Sequence, residues 1–227
     1  MSDEVHELAV DGVDRQARPF VIRVTGGIGS GKSTLCRGIE ALGVLVFNAD
    51  AAAKRLMTED PNLREAIQSA FGTAAYRTDG SLDRAHVANI VFGDDDALKQ
   101  LNSLVHPAVF AAFDAAIEKS RARSDRFLVY EAALLVDRPD AENPFDLTVV
   151  VDSTLLDRME RARKRDGVDL DTIESRIEKQ PPRTAYLDVA DYVVVNDGSI
   201  SDLERKAAAL FDSIERDFLA GKSSELD

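Results

Sequence analysis

Three features of this 227-residue chain predict a three-layer α/β fold built on a five-stranded parallel sheet. Short valine-rich apolar runs recur along it, helical stretches separate them, and a glycine-rich turn directly follows the first run. Strands that are apolar throughout, rather than alternating, are buried on both faces, which is the mark of a parallel sheet covered by helices.

Residues 20–25 read as the first strand, and residues 33–42 as a helix closed by Gly43. Residues 44–47 form a second short strand, ending at Asn48-Ala49-Asp50. From 51 to about 122 the pattern is mostly helical, with breaks at Asp60-Pro61, Gly72-Thr73, Thr78-Asp79-Gly80 and 93–96. That is longer than a simple crossover between strands and predicts an inserted helical subdomain. Strands resume at 127–130, 147–151 and 192–195. An arginine-rich helical segment at 155–178 lies between the last two, halted by Pro181-Pro182. A final helix, about 201–219, carries a core stripe of Leu203, Leu210, Ile214 and Phe218. One domain thus spans 19–220. Residues 1–18, polar, acidic and aperiodic, read as an extension outside the fold, and 221–227 as a tail.

Composition excludes some classes of function. With 41 acidic against 28 basic residues the net charge is -13, which argues against a broad hold on nucleic acid or anionic membrane, both polyanions. A phosphate-bearing ligand therefore requires positive charge concentrated locally. The lone Cys36 cannot form an internal disulfide and reads as a buried structural thiol. No apolar run approaches the ~20 residues of a membrane span, and no basic-then-apolar leader opens the chain. The expectation is a cytoplasmic protein, monomeric or a small homo-oligomer.

The turn after the first strand, Gly26-Gly27-Ile28-Gly29-Ser30-Gly31-Lys32-Ser33, matches the Walker A pattern G-x-x-x-x-G-K-[ST] and sits between a strand and a helix, as the chemistry requires. Gly27, Gly29, Ser30, Gly31 and Thr34 are expected around the phosphates. Glycines let successive N–H groups point inward at a helix N-terminus, where they bind phosphate oxygens. Lys32 is expected to reach the β- and γ-phosphates of ATP, and the Ser33 hydroxyl to ligate Mg²⁺. No Asn-Lys-x-Asp guanine-reading motif follows, and there is no room for a coupling domain. A small-molecule kinase of the P-loop type is the reading that remains; a regulatory nucleotide-binding module is the more distant one.

Further blocks lie along the chain: Asn48-Ala49-Asp50, Asp79-Gly80-Ser81-Leu82-Asp83-Arg84, Leu101-Asn102-Ser103-Leu104-Val105-His106-Pro107, Glu131-Ala132-Ala133-Leu134-Leu135, residues 161–165 and 176–180, and Ala190-Asp191-Tyr192 leading to Asn196. In this order, from about Ile22 to Asp212, the sequence resembles the dephospho-coenzyme A kinase family. Two departures stand out. The family usually has Asp-Ala-Asp where this chain has Asn48-Ala49-Asp50, and often Asp-Val-Pro-Leu-Leu where this chain has Glu131-Ala132-Ala133-Leu134-Leu135.

The resemblance implies transfer of the ATP γ-phosphate to the 3′-hydroxyl of dephospho-CoA, with ATP, Mg²⁺ and dephospho-CoA as the only partners. Nucleoside monophosphates and sugar acids are the rival acceptors. Asp50, past the end of the second strand, is expected to orient or activate that hydroxyl, with a helix N-cap as its alternative role. Glu131 is the expected Walker B-like acid, holding Mg²⁺ through water, or else a cap on the following turn. Arg161 and Arg165, four apart on a helix with Arg158 nearby, form the expected phosphate-facing pair of an arginine-bearing lid at about 155–182. Arg163 and Lys164 read as solvated charge. Arg84 is placed against the acceptor's pyrophosphate, with a surface ion pair as the alternative. His106 falls in the acceptor region, where a core histidine beside a helix-starting Pro107 is the plainer reading. Arg176 and Gln180 share a face within the lid, Asn196 is expected near the adenine, and Asp137 is unassigned.

Overall fold

The structure is a computed structural model that describes residues 18–133 and 143–220. Strand β1 (Phe20–Thr25) takes the centre of the sheet, flanked by β3 (Phe127–Glu131) and β4 (Leu147–Asp152). Outside these lie β2 (Leu45–Asn48) and β5 (Tyr192–Val195), giving the all-parallel order β2-β3-β1-β4-β5. The five strands fall within a residue of the expected positions.

The register fixes the site. Glu131, at the end of β3, pairs with Val24 on one side and Asn48 on the other, and Asp152 pairs with Val195. All the functional loops therefore leave one edge of the sheet, the carboxyl edge. The connections from β1 and β3 run to opposite sides, and ligands of open α/β sheets bind at such a reversal.

Helices cover both faces. On one, Ile22, Val24, Val129 and Val149 pack with α1 (Lys32–Glu40) and α9 (Ile200–Leu219). Val21, Leu128 and Tyr130 face the other side, under the inserted helices α2 (Ala49–Glu59), α3 (Pro61–Phe71), α4 (Arg84–Phe92) and α5 (Asp95–Ala122). There Phe113 is fully buried, its ring 5.2 Å from Phe47 and 4.6 Å from Tyr130. Arg23 is buried on a strand because its guanidinium donates to Thr148 Oγ1 and lies 4.9 Å over the Phe145 ring.

The breaks anticipated in the helical insertion are capped: the carboxylates of Asp60 and Asp94 accept N–H groups at the starts of α3 and α5. Two expectations are corrected. Pro107 does not start a helix but lies within α5. Segment 155–178 is not continuous, because Gly167 adopts a left-handed conformation (φ 68°) and divides it into α6 (Leu155–Asp166) and α7 (Leu170–Glu178). After Pro181-Pro182 comes the short α8 (Arg183–Leu187). The extension expected at 1–18 lies outside the described residues except for Arg18, which belongs to the fold through a bidentate pair with Asp146, both bonds 2.7 Å. The tail at 221–227, Leu134, Leu135 and Asp137 also lie outside them. No described helix is long and apolar enough to cross a membrane.

Helices α1 and α9 touch where Gly38 meets Ala207: a Cβ on Gly38 would come within 2.7 Å of the Ala207 Cβ. Elsewhere in a helix, Gly→Ala stabilises by about 1 kcal/mol; here Gly38→Ala is expected to destabilise by about 1–3 kcal/mol through overpacking. Urea titration checks this, and adding Ala207→Gly should recover most of the loss.

Candidate functional site: a phosphate loop facing an acceptor cleft

The glycine-rich turn wraps the N-terminus of α1. Gly29 (φ 73°) and Gly31 (φ 108°) hold left-handed backbone, and space forbids side chains as well: a Cβ on Gly29 would meet the Arg158 carbonyl at 2.1 Å, and one on Gly31 the Asn196 amide at 2.4 Å. Of the residues expected around phosphate, Gly29, Gly31, Lys32, Ser33 and Thr34 line a cleft of about 440 Å³, together with Arg161, Arg165 and Asn196. Gly27 and Ser30 do not line it. Gly27 lies beneath the Arg158 guanidinium, and buried Ser30 turns the loop, its N–H donating to Gly27 O.

Buried Lys32 donates from Nζ to Gly26 O at 2.8 Å and Gly27 O at 3.1 Å. Burial lowers its pKa from 10.5 to about 8; Asp50 and Glu131 oppose that shift, while Arg158 and Arg165 add to it. The same burial pushes the Cys36 thiol up, in keeping with an inert structural cysteine.

Buried Glu131 joins two loops. Its Oε1 accepts the Ser33 hydroxyl at 2.6 Å, and its Oε2 accepts Asn48 Nδ2 at 2.6 Å. These are side-chain bonds to the phosphate loop and to β2, so the carboxylate caps no turn. Asn48 also accepts Ala51 N–H at 2.7 Å, making it the N-cap of α2. The capping role weighed for Asp50 therefore belongs to Asn48, and Asp50, in the first turn, is exposed.

Asp50 opens onto a second cavity of about 220 Å³, floored by Met57, Val105, Phe110 and Tyr130. His106 lines this cavity too. It is a half-buried wall residue rather than a core histidine, 6.4 Å from the Phe110 ring, and burial lowers its pKa. Neighbouring Asn102 supplies another polar edge, which the sequence reading did not single out as a site. Arg84, at the start of α4, is exposed and not part of either cavity wall; among the described residues no ion pair holds it.

The arginines of α6 divide by role. Arg161 donates to Ser153 Oγ at 2.8 Å and to Asn196 O at 3.2 Å. Arg165 is bound bidentately by Asp166, at 2.7 and 3.1 Å, and Asp166 also accepts Arg176 at 2.8 Å. The bond to Asp166 raises the Arg165 pKa, and the Asp50 carboxylate adds to the shift. Exposed Arg163 and Lys164 lie away from the cleft, as solvated charge should. Arg158, expected only near the pair, lies on the loop itself, donating Nε to Ile28 O at 3.0 Å. Gln180 accepts Ile28 N–H at 2.7 Å. Asn196 is buried and donates Nδ2 to Ser30 O at 2.7 Å, so its amide braces the loop while the residue lines the cleft. Neither Arg158 nor Asn102 could be singled out by spacing, since each depends on tertiary placement.

The family model for dephospho-CoA kinase matches residues 20–202. A dephospho-CoA kinase of Salinibacter ruber is 43% identical over 188 residues, covering 83% of this chain and 94% of that protein. One from Chlorobium luteolum is 39% identical, with 86% and 90% covered. A crystal structure of a Thermus thermophilus protein superposes with a TM-score of 0.70 at 31% identity, over 87% of this chain and 98% of that one. Likeness of this extent, carried across the phosphate loop, the inserted helices and the arginine helix alike, makes this chain a member of the dephospho-CoA kinase family.

Proposed function

We propose that this chain transfers the γ-phosphate of ATP to the 3′-hydroxyl of dephospho-CoA, giving CoA and ADP. The observation that carries the reading is the placement of Asp50 on one cavity and of Lys32, Arg161 and Arg165 on the other; the Asp50 carboxylate also acts electrostatically on Lys32 and Arg165. A hydroxyl held by Asp50 would face a phosphoryl group held by Lys32 and Arg165. Phosphoryl transfer has a loose transition state, so positioning and charge stabilisation supply most of the catalysis. Asp50 orients the hydroxyl and takes its proton as the new P–O bond forms, while Lys32, Arg161 and Arg165 bear on the negative charge of the phosphates.

The cavity beside Asp50 suits the adenosine end of the acceptor. Its apolar floor matches a base, and Asn102 and His106 offer hydrogen bonds to the base edge or ribose. Arg84, solvent-facing, remains available to a more distant phosphate of the same substrate.

Mg²⁺ fits the residues at the carboxyl edge. Glu131 is a buried carboxylate whose two hydrogen bonds both come from neutral donors; Lys32 offsets part of its charge, and a bound cation would offset more. Mg²⁺ retains several waters and takes one or two protein ligands plus substrate phosphates. Ser33 and Glu131 would hold it, directly and through water, and it would neutralise charge on the β- and γ-phosphates. The chain's own part is to fix those two oxygens, with Asn48 orienting the Glu131 carboxylate.

With Mg-ATP, ADP release is expected to be fast with dephospho-CoA and at background with AMP, CMP, UMP, gluconate or no acceptor, and CoA should be recovered as product. A different winning acceptor would refute the assignment. Asp50→Asn should cut kcat by about 10²–10⁴-fold while changing the melting temperature only slightly, because Asp50 is exposed and caps nothing and its charge offsets only part of the burial of Lys32.

Arg165→Met should lower kcat by about 10²–10³-fold without loss of stability, whereas Arg161→Met should cost both, since Arg161 also ties Ser153 to Asn196. Paired rate and melting measurements distinguish them.

Lys32 must be protonated to hold triphosphate, and its lowered pKa moves deprotonation into an accessible range. ATP affinity measured calorimetrically should fall as pH rises through about 8. By pH 9 it should be about tenfold weaker, and the trend should vanish in Lys32→Met. A lysine at its ordinary value would show no change over this range.

A further inference from the structure

Among the described residues, the hydrogen bonds between the phosphate loop and the arch formed by α6 and α7 converge on Ile28. Ile28 is held by both of its backbone groups: Arg158, near the start of the arch, donates to its carbonyl at 3.0 Å, and Gln180, just past its end, accepts its N–H at 2.7 Å. The two grips come from opposite ends of the arch, 130 and 152 residues along the chain from Ile28. Beneath them the loop has little slack, because a Cβ on Gly29 would overlap the Arg158 backbone carbonyl at 2.1 Å.

Gln180 is itself well anchored. Proline at the next position restricts its backbone to extended conformations, and its own N–H donates to Ile177 O at 2.9 Å. Beyond the prolines, Arg183 binds the Asp152 carboxylate and the Tyr186 hydroxyl donates to Ala133 O at 2.9 Å, which fastens α8 to the ends of β4 and β3. Gln180 therefore sits where the arch rejoins the sheet. An amide oxygen is also the fitting acceptor here. It takes an N–H bond without adding negative charge beside bound phosphates, as a carboxylate would.

We propose that Gln180 is a positioning residue which, with Arg158, clamps Ile28 so that the arch bearing Arg161 and Arg165 and the loop bearing Lys32 keep one relative setting. The inference rests on residues 26–33 being a phosphate loop and is independent of which acceptor is used. The clamp aligns cations for transfer rather than contributing to nucleotide binding, so its loss should appear in kcat and not in KM for ATP.

The test uses the full chain. In Gln180→Leu, which keeps the size but not the acceptor, amide hydrogen exchange at Ile28 in the nucleotide-free protein should speed up at least tenfold, and kcat should fall about tenfold with KM for ATP within about twofold. Gln180→Glu keeps an acceptor at the same reach and should retain slow exchange. In a double-mutant cycle with Arg158→Met, the two losses should be less than additive. Unchanged exchange in Gln180→Leu would overturn the proposal, as would faster exchange in both Gln180 variants. Tighter ATP binding at unchanged kcat would overturn it too, since it would make Gln180 a competitor of phosphate. Strict additivity would show that the two grips are not one clamp. Because exchange is read without any substrate, failure of the clamp is separable from failure of the acceptor assignment.

Discussion

The geometry of this site depends on one buried carboxylate. Glu131 ends β3, between β1, which leads into the phosphate loop, and β2, which leads into α2, and it hydrogen-bonds to Ser33 beyond the one and to Asn48 of the other. A buried carboxylate is costly unless its oxygens are satisfied, so Ser33 and Asn48 are held to it as firmly as it is to them. The strand register makes this possible. Slipping β3 by one residue would turn Glu131 to the other face of the sheet and separate the two loops. Asn48 extends the chain of bonds, since the same amide that steadies Glu131 also starts the helix on which Asp50 is displayed. A neutral residue suits that position here, because its nitrogen can donate where a second ionised carboxylate would repel.

Charge is distributed accordingly. The chain carries a net charge of -13, yet Lys32, Arg158, Arg161 and Arg165 gather at the carboxyl edge of the sheet. Crowding them carries a cost, visible in the lowered pKa of Lys32, where burial is the chief cause and the neighbouring arginines add to it. Asp50 and Glu131 offset part of that cost. An acidic protein can thus handle polyanionic substrates because a group of cations is concentrated at one cleft and its crowding is eased by two carboxylates there.

Much of this was legible in the sequence. Largely apolar runs gave five strands nearly to the residue, because even β5, whose Val193 and Val195 are open to solvent, is built of β-branched residues. The caps at Asp60 and Asp94 were legible as breaks, and the glycine-lysine-serine turn as a phosphate loop, since their chemistry is local. Contacts between distant segments were not legible. Nothing in the spacing around Arg158 tells it apart from Arg161, although one lies on the loop and the other braces β4 against Asn196. Nor does a proline inside a 28-residue helix announce itself, so His106 was read as lying beside a helix start when it is part of a cavity wall. The sequence offers Asp50 as a cap for the helix after β2, and only the fold gives that role to Asn48.

The pairing of Arg165 with Asp166 has a consequence for binding entropy. A free arginine on a helix surface samples many rotamers and must surrender that freedom when it grips a ligand. Here Asp166 engages Nε and Nη2 and is itself steadied by Arg176, so the guanidinium plane is largely set before any anion arrives. Of the five N–H donors a guanidinium carries, these two bonds leave about three, at its outer end. An anion entering the cleft meets a side chain whose ordering was settled during folding, and more of the contact energy is left to act on the anion itself.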